Sequence, residues 1–289
     1  MSGGNPVLKA GNKVIPEEKK KYNALSFDLE DWFCAYNLRI RMEDWDEQEL
    51  RVVKNTRKIL EILKKHDTRA TFFVLGWIAE RVSDLVHEIE QQGHEIATHG
   101  YSHTVLTEMS PGSFESDLEK ALDVTGRCVS GPVLGYRAPS FTITKDTLWA
   151  LDILAKHGIK YDSSIFPLGF HPDYGIPDAQ LSIHRRGDLV EVPMSCAEVM
   201  GRRIPCGGGG YFRVFPYMVT KFLMRLCNRQ GRPVIFYLHP WEMDPGQPRV
   251  KMPRSKAFRH YSNLGKTENR LNTLLKDFTF VPIKELIGL

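Results

Sequence analysis

The strongest restriction on the fold of this chain is a rhythm: from residue 24 almost to the C-terminus, short apolar runs alternate with amphipathic segments of helical period. Strands are predicted at 24–29, 70–75, 95–98, 133–136, 159–162, 189–193, 233–238 and 279–282. Between them, Val52, Val53, Ile59, Leu60 and Leu63 mark a helix ending near His66. Ile78, Val82, Leu85, Val86 and Ile89 recur at helical spacing until Gly93, and Phe114, Leu118, Ala121 and Leu122 share one helical face. Further helices are predicted at 147–157, 217–230 and 268–275. Strands separated by single helices imply a parallel sheet, because parallel neighbours need a crossover. Seven or eight such units point to an α/β chain whose sheet closes into a barrel. Residues 1–22 are rich in Gly, Pro and Lys with no apolar period, the pattern of a disordered or loosely attached lead-in. The run Gly207–Gly210 reads as a flexible loop that lets backbone approach something closely.

Bulk properties exclude several classes. An apolar content of 42% with 26% charged residues is that of an ordinary globular protein of 289 residues. The formal charge of +4 is mild, and no basic tract interleaved with aromatics supports nucleic-acid binding. Cysteines 34, 128, 196, 206 and 227 are odd in number and lack a CxxC pair, which excludes a zinc ribbon or a disulfide framework. The N-terminal residues lack the apolar core of a secretory signal, and no stretch reaches the ~20 apolar residues of a membrane span. A cytoplasmic location is the resulting expectation.

The polar residues carry the functional signal. Asp28, Glu30 and Asp31 follow the first strand, His99 and His103 the third, Arg137 the fourth, Asp162 the fifth and His239 the seventh. All fall at C-terminal strand ends, the face on which barrel enzymes build their sites. His99 and His103, four residues apart, share one side if the segment winds into a helical turn, and so can bind one divalent metal. Glu30 or Asp31 supplies the third, anionic ligand. Two imidazoles and one carboxylate leave positions open, the pattern of a hydrolytic site. Taken alone, an HxxxH pair reads more often as two surface or capping histidines; the barrel-face position and the acidic neighbours reverse that balance. Asp28 is the candidate general base, oriented by Arg137, and His239 the candidate general acid. Taken singly, these residues read as a turn aspartate, a surface arginine and a structural histidine. Tyr211 and Trp241 are candidates for stacking on sugar rings, although single aromatics more often serve packing.

Together these segments resemble the polysaccharide deacetylases with the NodB homology domain, carbohydrate esterase family four. Asp28-Leu-Glu30 matches the first motif, and His99-x-x-x-His103 the second. Arg137-Ala-Pro139 matches the third, which forms a groove wall and holds the base. Tyr161-Asp162 falls where the fourth lies, implying Asp162 as the partner of His239, and Leu238-His239 matches the fifth. The departures are Asp-x-Glu in place of consecutive acids, Ser140 in place of an aromatic, and no Trp in the fourth motif. Phe-Asp-Leu-Glu-Asp-Trp-Phe, Gly-Gly-Gly-Tyr-Phe-Arg, His-Pro-Trp-Glu and Asp-Pro-Gly-Gln-Pro-Arg are similar to the subgroup associated with exosortase and exopolysaccharide loci. So is Arg259-His-Tyr-x-Asn263.

The resemblance implies a distorted, seven-stranded (β/α) barrel over 23–289, with a C-terminal extension from about 200. It implies metal-dependent removal of N-acetyl groups from an amino-sugar polymer or glycan precursor. Zinc suits such ligands, as do cobalt and nickel. Two other readings stand beside it: a metal-independent amide hydrolase like the allantoinases that share this barrel, and a catalytically silent glycan-binding module.

Overall fold

The computed structural model describes residues 22–169 and 174–289. The predicted lead-in therefore lies, apart from Tyr22, outside the described residues. The elements in chain order begin with β1 (Tyr22–Leu29), α1 (Val52–Lys65), β2 (Thr71–Val74), α2 (Gly76–Arg81), α3 (Ser83–Gln91), β3 (Glu95–Thr98) and α4 (Pro111–Gly126). Next come β4 (Gly135–Tyr136), α5 (Trp149–Lys156), β5 (Tyr161–Asp162), β6 (His184–Arg186) and β7 (Leu189–Glu191). The hairpin β8 (Cys196–Val199) and β9 (Arg202–Pro205) follows, then α6 (Gly209–Val214), α7 (Tyr217–Arg229) and β10 (Ile235–Leu238). The chain ends with α8 (Arg254–Tyr261), α9 (Leu264–Asp277), β11 (Thr279–Val281) and α10 (Ile283–Ile287).

Neighbours in the order β10-β1-β2-β3-β4-β5-β7 run parallel throughout. β6 adds antiparallel to β7, and β11 pairs parallel with the start of β1. This is the curled parallel sheet of a distorted (β/α) barrel. Among the described residues, β7 and β10 do not pair with each other. Irregular chain crosses the seam instead. Ile235 donates its N–H to the Ser195 hydroxyl, 2.8 Å away, and Tyr237 donates to the Gly207 carbonyl. Gly208 forms a parallel bridge with Tyr237. Its φ of +113° and the 2.0 Å that would separate a Cβ from the Tyr237 carbonyl oxygen make glycine the residue that fits. The close approach expected of the glycine run is thus to β10, and Gly209 already begins α6.

Strand periodicity decides what faces the barrel interior. In β1, Leu25, Phe27 and Leu29 pack under the helices, while Ala24 joins the interior cluster with Phe73, Ala97, Ile235 and Tyr237. Side chains alternate with period two. Ser26, Asp28 and Glu30 therefore point inward on the parity of Ala24, His99 on that of Ala97, and His239 on that of Ile235 and Tyr237. The end of the barrel opposite these residues is plugged. There Glu95 accepts from Thr71, Tyr161 and the Lys284 backbone N–H, and α10 packs below.

The structure adds detail that periodicity did not resolve. The helix predicted over 78–89 is two helices that break at Val82, whose φ of −133° leaves the helical region. The 133–136 strand shortens to Gly135–Tyr136. No helix of the described residues is long and apolar enough to cross a membrane.

Candidate active site

Strand exits bring three donors together at the C-terminal mouth. Glu30, His99 and His103 place one ligand atom each within 4.8 Å of one another, and all three residues are buried. Residues 99–103 do not form the expected helical turn. They make an irregular loop turned by Gly100 at φ +73°, and His103 itself adopts a left-handed φ of +56°. Asp117 holds the loop by accepting the N–H groups of Tyr101 (2.8 Å) and Ser102 (3.0 Å). The His99 and His103 rings lie 5.2 Å apart between centroids.

The electrostatics suit a cation. His99 Nδ1 lies 2.8 Å from the Arg137 carbonyl, so it carries the proton and leaves Nε2 with a free lone pair toward the cluster. Burial pushes the His99 pKa down to about 4, against the pull of Asp28, so the ring is neutral. Burial works to raise the Glu30 pKa, but the Coulombic field of His103, with His239 and His99 nearby, holds it far below the usual carboxylate range. Glu30 Oε2 sits 2.6 Å from His103 Nε2, yet no donor satisfies it with hydrogen-bond geometry and it is fully buried. An orphaned carboxylate oxygen facing two imidazoles is what a metal would satisfy. Asp31 faces elsewhere. Its carboxylate accepts the N–H groups of Trp32, Arg51 and Val52 at 2.6–2.7 Å, which is a helix-capping role.

Asp28 lies beside the cluster, 2% exposed. Arg137, fully buried, donates to its Oδ1 at 2.7 Å and lies 4.0 Å over the Phe73 ring. The same guanidinium also bonds Ser26 Oγ and Ser163 O, so its position is fixed from several sides. His239 Nε2 stands 3.6 Å from Asp28 Oδ2 and 3.7 Å from Glu30 Oε1.

Two sequence expectations are corrected. Asp162 does not partner His239: it accepts the backbone N–H and hydroxyl of Ser164 (2.9 and 2.6 Å), and burial raises its pKa to about 6 against those hydrogen bonds. The fourth-motif position ends too far round the sheet. Glu242 takes that place instead, 2.8 Å from His239 Nδ1, and is itself gripped by Arg213 at 2.5 Å. Burial opposes charge on His239, but the Glu242 hydrogen bond and the Glu30 field outweigh it and push the pKa up to about 9. Glu242 is lowered to about 2: burial works against it, and Arg213 and His239 prevail. Glu at the third position after a capping residue, with Pro240 at the first helical position, is a readable local signal. Arg213 carries none, because its contact with Glu242 exists only once the chain is folded.

Trp241 presents no face to a sugar. His239 stacks on it at 5.0 Å and His260 at 4.5 Å, while its indole N–H donates to Glu30 Oε1 at 2.9 Å. It orients a donor instead. Pro139 is buried outside the cavity; the following Ser140 and Phe141, both at positive φ, line it. Tyr211 lines the cavity and packs against the cluster that holds Phe141 and Tyr237. The cavity over the site measures about 550 Å³.

A family model described as Polysaccharide deacetylase matches residues 17–161, half of the chain. The chain belongs to the polysaccharide deacetylase family. A second model, a domain of unknown function (DUF3473), matches 163–288. The two meet between β5 and β7, inside one sheet, so the second segment contributes strands β7 and β10 to the same barrel. Among relatives, a Helicobacter pylori peptidoglycan deacetylase is 32% identical over 117 residues, 40% of this chain and 39% of that protein. A Bacillus cereus peptidoglycan-N-acetylglucosamine deacetylase is 34% identical over 98 residues, 34% of this chain and 36% of that protein. The chain thus spans about two fifths of the length of these relatives.

Among solved structures, a Mycobacterium smegmatis protein assigned to the polysaccharide deacetylases superposes with TM-score 0.59 at 17% identity, covering 95% of this chain and 92% of that one. A CE4 family pseudoenzyme from Bacillus anthracis gives 0.51 at 16% identity, covering 93% and 66%. A pseudoenzyme shares this fold, so activity must be argued from side chains.

Proposed function

We propose that this protein is a metal-dependent N-deacetylase that releases acetate from an amino-sugar polysaccharide or glycan precursor. The observation that carries the reading is the convergence of Glu30, His99 and His103 within 4.8 Å, with a carboxylate on one side and His239 3.6 Å from that carboxylate. Zinc fits two imidazoles and one carboxylate, and cobalt or nickel accepts the same donors. A divalent cation there supplies Lewis acidity toward the acetamide carbonyl and toward water.

The chain's own residues do the rest. Asp28, with Oδ1 tied to Arg137, keeps Oδ2 free to accept the proton of the attacking water. His239 donates its Nδ1–H to Glu242, which turns Nε2 into the cavity, where it can deliver a proton to the departing sugar nitrogen. Phe141, Tyr211 and Tyr237 wall the space in which the sugar lies.

Acetate release from N-acetylated amino-sugar oligomers tests the reading. Turnover with zinc, its loss on chelation, and a fall of at least ~10²-fold in Asp28→Asn are expected. Turnover that survives complete metal removal favours the allantoinase-like reading. Oligomer binding without any acetate release favours a silent glycan-binding module.

A further inference from the structure

The charge of the cavity mouth does not follow from deacetylation of a neutral sugar. Among the described residues that line the cavity, the acids are Asp28 and Glu30, both buried at its floor. The cations at its rim are Arg39, Lys256 and Arg259. Lys256 and Arg259 belong to α8, which lies within a run of 23 residues, 245–267, holding six Lys or Arg and no Asp or Glu. In a chain with 39 basic and 35 acidic residues, such segregation is a local feature rather than a reflection of composition. Arg39 comes from the segment after β1, its guanidinium 4.0 Å over the Tyr36 ring and 4.0 Å from the half-exposed Glu108. Phe258, 63% exposed, stands beside the α8 cations.

We propose that this mouth recognises a carboxylate or phosphate carried close to the acetamido sugar, so that the substrate is an acidic glycan. The proposal rests on the deacetylase reading and adds the substrate class to it. A volume of about 550 Å³ lies within the ~300–1,000 Å³ of pockets that hold ligands of drug size, so a sugar unit beyond the reacting one has room. Phe258 offers that unit an apolar face while Lys256 reaches its anionic group. One exposed ion pair contributes little, but cations of one sign around a concave mouth focus the field on an incoming anion, in a salt-dependent way. The segment matched as a domain of unknown function thereby acquires a role in substrate choice.

The zinc-loaded full chain is assayed for acetate release at 20 and 300 mM NaCl on three probes: neutral chitotetraose, a hyaluronan tetrasaccharide in which N-acetylglucosamine alternates with glucuronate, and N-acetylglucosamine 1-phosphate. Binding of each probe is measured in parallel by calorimetry. An anionic probe is expected to exceed chitotetraose at least ~10-fold in kcat/KM at low salt, with the advantage shrinking at high salt. Which anionic probe gains identifies carboxylate or phosphate. In Lys256→Glu, whose Tm should match wild type because the side chain is exposed, the acidic-to-neutral ratio should fall roughly 5- to 10-fold, mainly through KM. Equal or faster turnover of chitotetraose at both salt concentrations overturns the proposal and leaves the deacetylase reading intact. Anionic probes that bind selectively while no probe releases acetate overturn the deacetylase reading and keep the anion site.

Discussion

Arg137 and Asp28 form the contact on which the proposed catalytic geometry depends, and its strength can be measured without any turnover. Replacing Arg137 with Met removes the guanidinium that donates to Asp28 at 2.7 Å, in a place where Arg137 is 0% and Asp28 2% exposed. At an effective dielectric of about 20, unit charges about 4 Å apart attract by about 4 kcal/mol. Leaving one member of a buried pair alone typically costs about 3–5 kcal/mol. Arg137→Met should therefore lose about 3–5 kcal/mol, a large part of the ~5–15 kcal/mol that holds an ordinary domain folded. Asp28→Asn should lose less, because an amide oxygen still accepts from Arg137 and the guanidinium keeps Ser26 and Ser163. The double variant should recover part of the loss, with a coupling of about 2–4 kcal/mol. Urea unfolding of the four proteins, with chelator present so that bound metal contributes nothing, gives the cycle. Additivity within about 0.5 kcal/mol would show that Arg137 does not hold the Asp28 carboxylate.

Three further outcomes follow from the same structure. Zinc at about one hundred times its dissociation constant should stabilise wild type by about 2.7 kcal/mol, read as a rise in Tm; His103→Ala should abolish that rise, and an undiminished rise would remove His103 from the ligand set. Gly208→Ala should cost at least ~3 kcal/mol in denaturant unfolding, since a Cβ would meet the Tyr237 carbonyl oxygen at 2.0 Å on a backbone at φ +113°, and a neutral effect would refute the seam geometry. Burial lowers the His94 pKa to about 4, so the unfolded state binds the proton more readily. The contribution is intact above pH ~6.5 and lost as pH falls toward 4, up to about 3 kcal/mol. His94→Asn, whose side-chain oxygen can still accept the Ala70 N–H, should flatten the stability profile in that window; parallel profiles would contradict the assignment.

What could be seen in advance follows periodicity. The strand–helix alternation places β1, β2, β3, β7 and β10 within a few residues of their observed limits, because all but the short β3 are apolar runs and each falls between helical or turn segments. The inward parity of Asp28, His99 and His239 needs nothing beyond the two-residue repeat of a strand. Elements lacking a clear apolar period were not legible: the β8–β9 hairpin and α8 carry exposed Arg or Lys among few buried residues, and α6 is a short helix opened by two glycines whose one cation, Arg213, is buried. Asp162 illustrates the other limit. Its place at a strand end matched the family motif, but which acid reaches His239 depends on how far round the sheet each strand lies, and that is tertiary information.

The contacts around His239 show why the second half of the chain is not an appendage. Its first neighbour, Glu242, is three residues away and was readable as a cap, yet a buried glutamate held low needs a cation. Arg213 supplies it from α6, which starts at the glycine run that seals the barrel seam. Arg213 is in turn fixed by the carbonyls of His260 (2.7 Å) and Ser262 (2.9 Å), at the end of α8. His260 then closes the circuit by stacking on Trp241, whose N–H bonds the donor Glu30. The seam, Glu242, Glu30 and the basic helix are thus linked through a few buried side chains. A change in α8 that shifts His260 must move the support of both Arg213 and Trp241, so the segment that rims the cavity also sets the position of the groups at its floor.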